Sequence, residues 1–135
     1  MARVLVVDDE NKIISTMGAI LQDEGHVVFS AATGRDAIEI LRKNEVEVAF
    51  LDVWLPDIDG LDVLERIRAA HPEVAVIMIS GHGSIDIAVK STRMGAFDFL
   101  EKPPSMERVL TSLNNALERT RLRRENIMLR REVLL

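Results

Sequence analysis

Cysteine is absent from the 135 residues, which excludes disulfides, thiolate nucleophiles and cysteine-ligated metals together. Histidine is scarce too. Three scattered residues make a poor zinc site, and the metal chemistry left open is that of hard cations held by oxygen. No apolar run approaches the ~18–20 residues that a membrane span requires. Met1 leads almost at once into a strand-like run, without the basic region, long apolar segment and small-residue cleavage site that secretion needs, so a cytoplasmic chain is expected. Glycine and proline are missing from residues 106–135, so nothing there stops a helix.

What is present suits one soluble domain. The length falls in the usual range of about 100–150 residues for a single core, and 47% hydrophobic with 29% charged residues is ordinary globular composition. Charge is unevenly spread. Residues 1–104 hold 10 Lys/Arg against 18 Asp/Glu, a net of −8, whereas residues 105–135 hold 7 against 4, a net of +3. Phosphate-backbone binding needs a basic footprint, so the acidic body is not built to grip nucleic acid unaided.

Five short apolar runs read as strands: "VLVV" (4–7), "VVFSA" (27–31), "VEVAFLD" (46–52), "VAVIMIS" (74–80) and "AFDFLE" (96–101). Three are nearly all apolar, which suits strands covered on both faces and hence a parallel sheet. Between them, helical spacing links Ile13, Ile14, Met17, Ile20 and Leu21; then Ala37, Ile38 and Leu41; then Leu61, Leu64 and Ile67, with Val63 alongside. A weaker stripe of Ile85, Ala88, Val89 and Met94 precedes Gly95, where a helix would stop. The alternation predicts an α/β fold, a doubly wound five-stranded parallel sheet whose ligands bind at the carboxyl ends of the strands.

The residues at those ends carry the chemistry. Asp8, Asp9 and Glu10 follow the first strand, Asp52 ends the third, Ser80 ends the fourth and Lys102 follows the fifth. In a parallel sheet they converge into an oxygen-rich site suited to Mg²⁺, which takes one or two carboxylates, water and phosphate oxygens. Such an ion would offset the repulsion among clustered acids. A carboxylate can also attack phosphorus to give an aspartyl-phosphate, with metal and ammonium stabilising the equatorial oxygens. The bland alternative for Asp8, Asp9 and Glu10 is a helix cap. Asp57 and Asp59 in "PDIDG" read as turn and cap residues, and His82 as a solvated loop residue.

Taken in order, "VVDDE" (6–10), "LDVWLPDIDG" (51–60), "MISGHG" (78–83) and "FLEKPPS" (99–105) resemble the receiver domains of two-component response regulators, over roughly residues 2–120. The resemblance implies a flavodoxin-like strand order 2-1-3-4-5, which the residues alone do not dictate. It implies Asp52 as phosphoacceptor, Asp9 as a direct Mg²⁺ ligand, Asp8 as a ligand through water and the Trp54 carbonyl as a further ligand. It casts Ser80 as the hydroxyl that bonds a phosphoryl oxygen and Lys102 as the cation paired with the phosphorylated aspartate. Phe99 becomes the aromatic that rotates inward with Ser80 on activation, and Pro103 follows a cis peptide. The segment "GHGSIDIAVKSTRMGAFDFLEKP" further resembles receivers of the nitrogen-regulatory type, which precede an ATPase that activates the alternative sigma factor. A sensor histidine kinase is the implied partner, and the implied protein is a phosphorylation switch that is no enzyme beyond self-dephosphorylation.

Past Pro104, Met106, Leu110, Leu113 and Leu117 mark a fifth helix that runs on into residues 118–135. We expect a receiver over 1–117 and a helical linker over 118–135, an extended C-terminal helix and coiled-coil candidate that would dimerise the chain. Two seams compete for that role: Thr120, Arg124, Ile127, Arg131 and Leu134, or Leu122, Asn126, Leu129 and Val133. The ATPase and DNA-binding modules are not among these residues, which reads as a fragment. Two other readings are a stand-alone receiver that signals by docking a partner, and a phosphohydrolase with Asp52 as nucleophile. The latter would commonly carry a second acid two residues on, where this chain has Trp54.

Overall fold

The computed structural model describes residues 1–81 and 85–134, the last three by backbone alone. His82 and the side chains of Val133 and Leu134 therefore lie outside the described residues. The elements alternate as expected: β1 (Arg3–Val7), α1 (Asn11–Asp23), β2 (Val27–Ala31), α2 (Gly34–Lys43), β3 (Val48–Asp52), α3 (Gly60–Ala70), β4 (Ala75–Ser80), α4 (Ile85–Arg93), β5 (Asp98–Glu101) and α5 (Met106–Leu134). All strand pairings are parallel, in the order β2-β1-β3-β4-β5.

Alternation along each strand sorts side chains to two faces. Leu5, Val7, Ala49, Leu51, Val76 and Met78 pack with Ala37 and Leu41 of α2 and with Val63, Leu64 and Ile67 of α3. Val4, Val6, Val48, Phe50, Ile77 and Ile79 pack with Met17 and Leu21 of α1 and with Val109, Leu113 and Ala116 of α5. Fully burying such aliphatic or aromatic side chains is worth about 1.5–3 kcal/mol each. Both faces of β1, β3 and β4 are thus covered, which is why those segments read as continuous apolar runs.

Three strands start later than their apolar runs. Val46, Val74 and Ala96 are buried but precede the ladders: Val74 N–H bonds the His71 carbonyl and Ala96 N–H the Ser91 carbonyl, closing the turns that feed the sheet. Gly25 (φ +86°) and Gly95 (φ +102°) end α1 and α4 in the left-handed region where a side chain is strained.

Two helical faces are corrected. On α4, Ile85 is 83% exposed and Val89 is also exposed, while Ser91 is buried and Ile87 and Met94 pack on the core. The Ser91 hydroxyl donates to the Ala88 carbonyl at 3.0 Å, so a polar residue takes an inward position. On α5, Val109, Ser112, Leu113 and Ala116 are buried and Met106 is exposed, a rotation from the stripe Met106, Leu110, Leu113, Leu117. The Ser112 hydroxyl donates to Asp98 Oδ2 at 2.7 Å, which satisfies it against β5. α5 then runs on as one helix of 29 residues, about 44 Å long at 1.5 Å per residue. Every side chain from Arg121 to Arg131 is exposed.

Candidate phosphoryl-acceptor site

β1, β3 and β5 end at one edge of the sheet, and each delivers a charged side chain there. The Lys102 ammonium lies 2.7 Å from Asp8 Oδ2, 2.9 Å from Asp52 Oδ2 and 3.4 Å from Glu10 Oε1. Asp8, Asp52 and Lys102 are all largely buried there, and Glu10 is exposed. Lys102 follows a strand whose last residue, Glu101, pairs with Ser80. Its amide donates to the Ser80 carbonyl at 2.9 Å, and its peptide bond to Pro103 is cis.

The two buried carboxylates differ in what satisfies them. Asp8 Oδ1 accepts from the Glu10 amide at 2.8 Å, a local turn that aims the side chain inward. Asp8 Oδ2 is buried without a hydrogen bond; its contact with Lys102 is an ion pair by distance, but its angles are not those of a hydrogen bond. Asp52 Oδ1 accepts from the Trp54 amide at 3.2 Å, and Oδ2 accepts from Lys102. One oxygen from each of Asp8, Asp9 and Asp52 lies within 4.8 Å of the others. Asp9 is exposed, so the cluster opens to solvent on that side.

Burial pushes the Asp52 carboxyl above the usual carboxylate range, and the negative charge of Asp8 adds to that; the Lys102 and Trp54 hydrogen bonds oppose it without cancelling it. For Lys102, burial acts to lower the pKa, but its contacts with Asp8 and Asp52 outweigh this and push it above its ordinary value. The two shifts share one cause, the burial of opposite charges against each other at the strand ends. A buried carboxylate oxygen held by an ion pair alone, a third carboxylate at the opening and a set of hard donors fit a divalent cation such as Mg²⁺.

The other expected residues surround this centre. Ser80 is buried at the end of β4, whose Ile79 pairs with Asp52. Phe99, half-buried on β5 beside Met78, lines a groove of about 450 Å³ with Ile85, Ala88, Pro103, Pro104 and Arg108. Trp54 is 56% exposed, two residues past Asp52, with Val53 between them. Two features went unread in the sequence. A Cβ on Gly60 would stand 2.2 Å from the Asp52 carbonyl oxygen and 2.7 Å from Val53, so only glycine lets α3 start against the strand end. Asp57 caps a different helix from its own, with Oδ1 accepting from Gly34 N–H at 2.8 Å and Oδ2 from Arg35 N–H at 3.0 Å. "PDIDG" marked a turn; what Asp57 reaches depends on the loop's path.

Residues 4–114 match the response regulator receiver domain family. The chain belongs to that family. The nitrogen assimilation regulatory protein NtrX of Azorhizobium caulinodans is 46% identical over 127 residues, 90% of this chain and 27% of that protein. The regulatory protein LuxO of Vibrio vulnificus is 38% identical over 114 residues, 84% of this chain and 25% of that protein. Among solved structures, NtrX from Brucella abortus superposes with a TM-score of 0.90 at 43% identity, covering 96% of this chain and 30% of that one. The beryllofluoride-activated NtrC4 receiver domain dimer gives 0.85 at 46%, covering 89% and 99%. The chain spans roughly a quarter of the length of these curated relatives. This receiver is thus of the nitrogen-regulatory type, with the five-stranded fold of its family and a long final helix. Receiver domains are signalling domains that use Mg²⁺ at an acidic cluster, and this one carries such a cluster. Among the described residues, no helix is long and apolar enough to cross a membrane.

Proposed function

We propose that this receiver accepts a phosphoryl group on Asp52 from a sensor histidine kinase and thereby regulates a transcriptional effector of the kind its relatives represent. The carrying observation is the position of Asp52, buried at the end of β3 with one oxygen on Lys102 and Asp8 beside it. An Asp52 oxygen attacks phosphorus, the bond from phosphorus to the kinase's imidazole nitrogen breaks, and the electron pair leaves with the imidazole. Asp8, Asp9 and Asp52, with the Trp54 carbonyl, are the residues that would hold Mg²⁺. Bound there, the ion would neutralise charge on the phosphoryl oxygens. Lys102 holds a positive charge 2.9 Å from Asp52 and can follow the new phosphoryl oxygens. Ser80 supplies a hydroxyl at the end of the adjacent strand, and Phe99 repacks with it, altering the face formed by α4, β5 and α5. Hydrolysis of the acyl-phosphate in place would reset the switch. Trp54 stands where an aspartate-nucleophile phosphohydrolase would carry its general acid, which favours the switch over an enzyme acting on external phosphoesters.

Residues 1–117 form the receiver in this reading and 118–135 a dimerising linker. Of the two seams, Leu122, Asn126 and Leu129 lie across the helix from Leu113, the side that packs on the body. Leu122 is 50% and Leu129 57% exposed, open to a second copy. Thr120, by contrast, is half-buried, with its hydroxyl on the Ala116 carbonyl.

The test is labelling by a small phosphodonor. Incorporation should need Mg²⁺ and vanish in Asp52→Asn, whereas label that persists in that variant sinks the assignment.

A further inference from the structure

The loop that joins β3 to α3 leaves Asp52, passes Trp54 and returns to Gly60, whose amide donates to the Val53 carbonyl at 2.8 Å. That bond closes the loop's base. Its middle is held from outside, by the Asp57 carboxylate on the first two amides of α2. The contact is two-pronged and spans 22 and 23 residues of sequence.

A helix start leaves its first amides unsatisfied and carries positive potential, so a carboxylate there is favourable. Here the work is divided. Thr33 accepts from the Asp36 amide at 3.1 Å, which is an ordinary local cap; Asp57 takes the two amides that Thr33 does not. Packing reinforces the junction. A Cβ on Gly34 would lie 2.8 Å from Val63 Cγ2 and 3.3 Å from Ile58 Cβ, so α2 starts in contact with both the loop and α3.

We infer that Asp57 is a positioning residue for the phosphoryl-acceptor site: by clamping the β3–α3 loop to the start of α2, it holds the Trp54 backbone in place for the cation. The inference rests on the function proposed above. Asp57 itself is exposed and outside the acidic cluster, and it acts through the loop. Only Leu55 and Pro56 separate it from Trp54 in sequence; Leu55 packs on the core and the fixed φ of proline stiffens the link, so a shift at Asp57 passes to the Trp54 backbone.

The experiment is a Mg²⁺ titration of the full chain, read by Trp54 fluorescence and by calorimetry, well below the melting temperature. Asp57→Ala should weaken Mg²⁺ affinity about ten-fold, the scale seen when a group supporting a ligand is removed. Asp57→Asn, which keeps an oxygen for one amide, should recover part of that loss. Thr33→Ala removes the local cap from the same helix end without touching the loop, and should leave the affinity unchanged. An unchanged affinity in Asp57→Ala overturns the inference, as does an equal loss in Thr33→Ala, which would mean that α2 stability alone is at work. A wild-type chain that binds no Mg²⁺ overturns the site reading as well; one that binds, with Asp57→Ala unaffected, overturns this inference alone.

Discussion

Lys102 Nζ lies 2.9 Å from Asp52 Oδ2 across 50 residues of sequence, and 2.7 Å from Asp8 Oδ2. One cation from β5 therefore holds together two buried carboxylates from β1 and β3. The arrangement is costly in isolation, since each charge gives up its water. In the proposed function it becomes an asset, since a preorganised site would receive a cation and a phosphoryl group without rebuilding itself.

Removing that cation should be severe. Lys102→Met leaves Asp8 and Asp52 buried without their counter-charge, with an expected loss of about 3–5 kcal/mol by urea denaturation without divalent metal. Mg²⁺ should restore part of it. The Lys102 pKa is raised on folding, so its contribution is fully present below the ordinary value of 10.5 and is lost as pH rises through the higher folded value. The wild-type advantage should accordingly persist at pH 9 and shrink only at strongly alkaline pH.

Asp52 has the opposite sign. Its folded pKa lies above the ordinary 3.8, so the folded state holds its proton more tightly and stability falls as pH rises through that window. Asp52→Asn should therefore melt higher than wild type at neutral pH in the absence of metal, as read by thermal denaturation. The difference should close below pH 3.8, and saturating Mg²⁺ should reverse it if Asp52 is the ligand proposed, since the variant would then lose one. Equal melting temperatures across the range would show that Lys102 fully compensates the burial of Asp52.

The sheet and the convergence of charges were legible because both follow from simple rules. Val4–Val7 and Ala75–Ile79 are apolar on both faces, which implies a covered parallel sheet, and a parallel sheet brings the residues after its strands to one edge. Asp8, Asp52 and Lys102 meet for that reason. Helical faces were read less well where polar groups point inward, since Ser91 and Ser112 are buried through hydrogen bonds that a hydrophobicity pattern does not register. The Asp57 clamp and the Gly60 contact depend on a loop's path through space, for which "PDIDG" supplies only the signature of a turn.

Gly60 offers a direct check on that loop. A Cβ there would meet backbone atoms at 2.2 and 2.7 Å, and backbone cannot step aside as the end of a side chain can. Gly60→Ala should cost about 3 kcal/mol or more, toward the upper end for overpacking. Because the clash falls on Asp52 and Val53, Mg²⁺ affinity should drop along with stability. A variant that keeps wild-type stability would mean that α3 can start farther from β3 than it does.

The tail prediction turns on which side of α5 a partner occupies. Leu122 and Leu129 are seven residues apart, the heptad interval, with Asn126 between them, and a polar residue in such a seam sets register at some cost in stability. Leu122→Lys combined with Leu129→Lys should convert a dimer to a monomer in sedimentation equilibrium. Ile127→Lys, on the body side of the helix, should leave the assembly intact, and Asn126→Leu should tighten it or change its order. Loss of the dimer in Ile127→Lys, with none in the double variant, would move the interface to the seam through Thr120, Arg124 and Ile127.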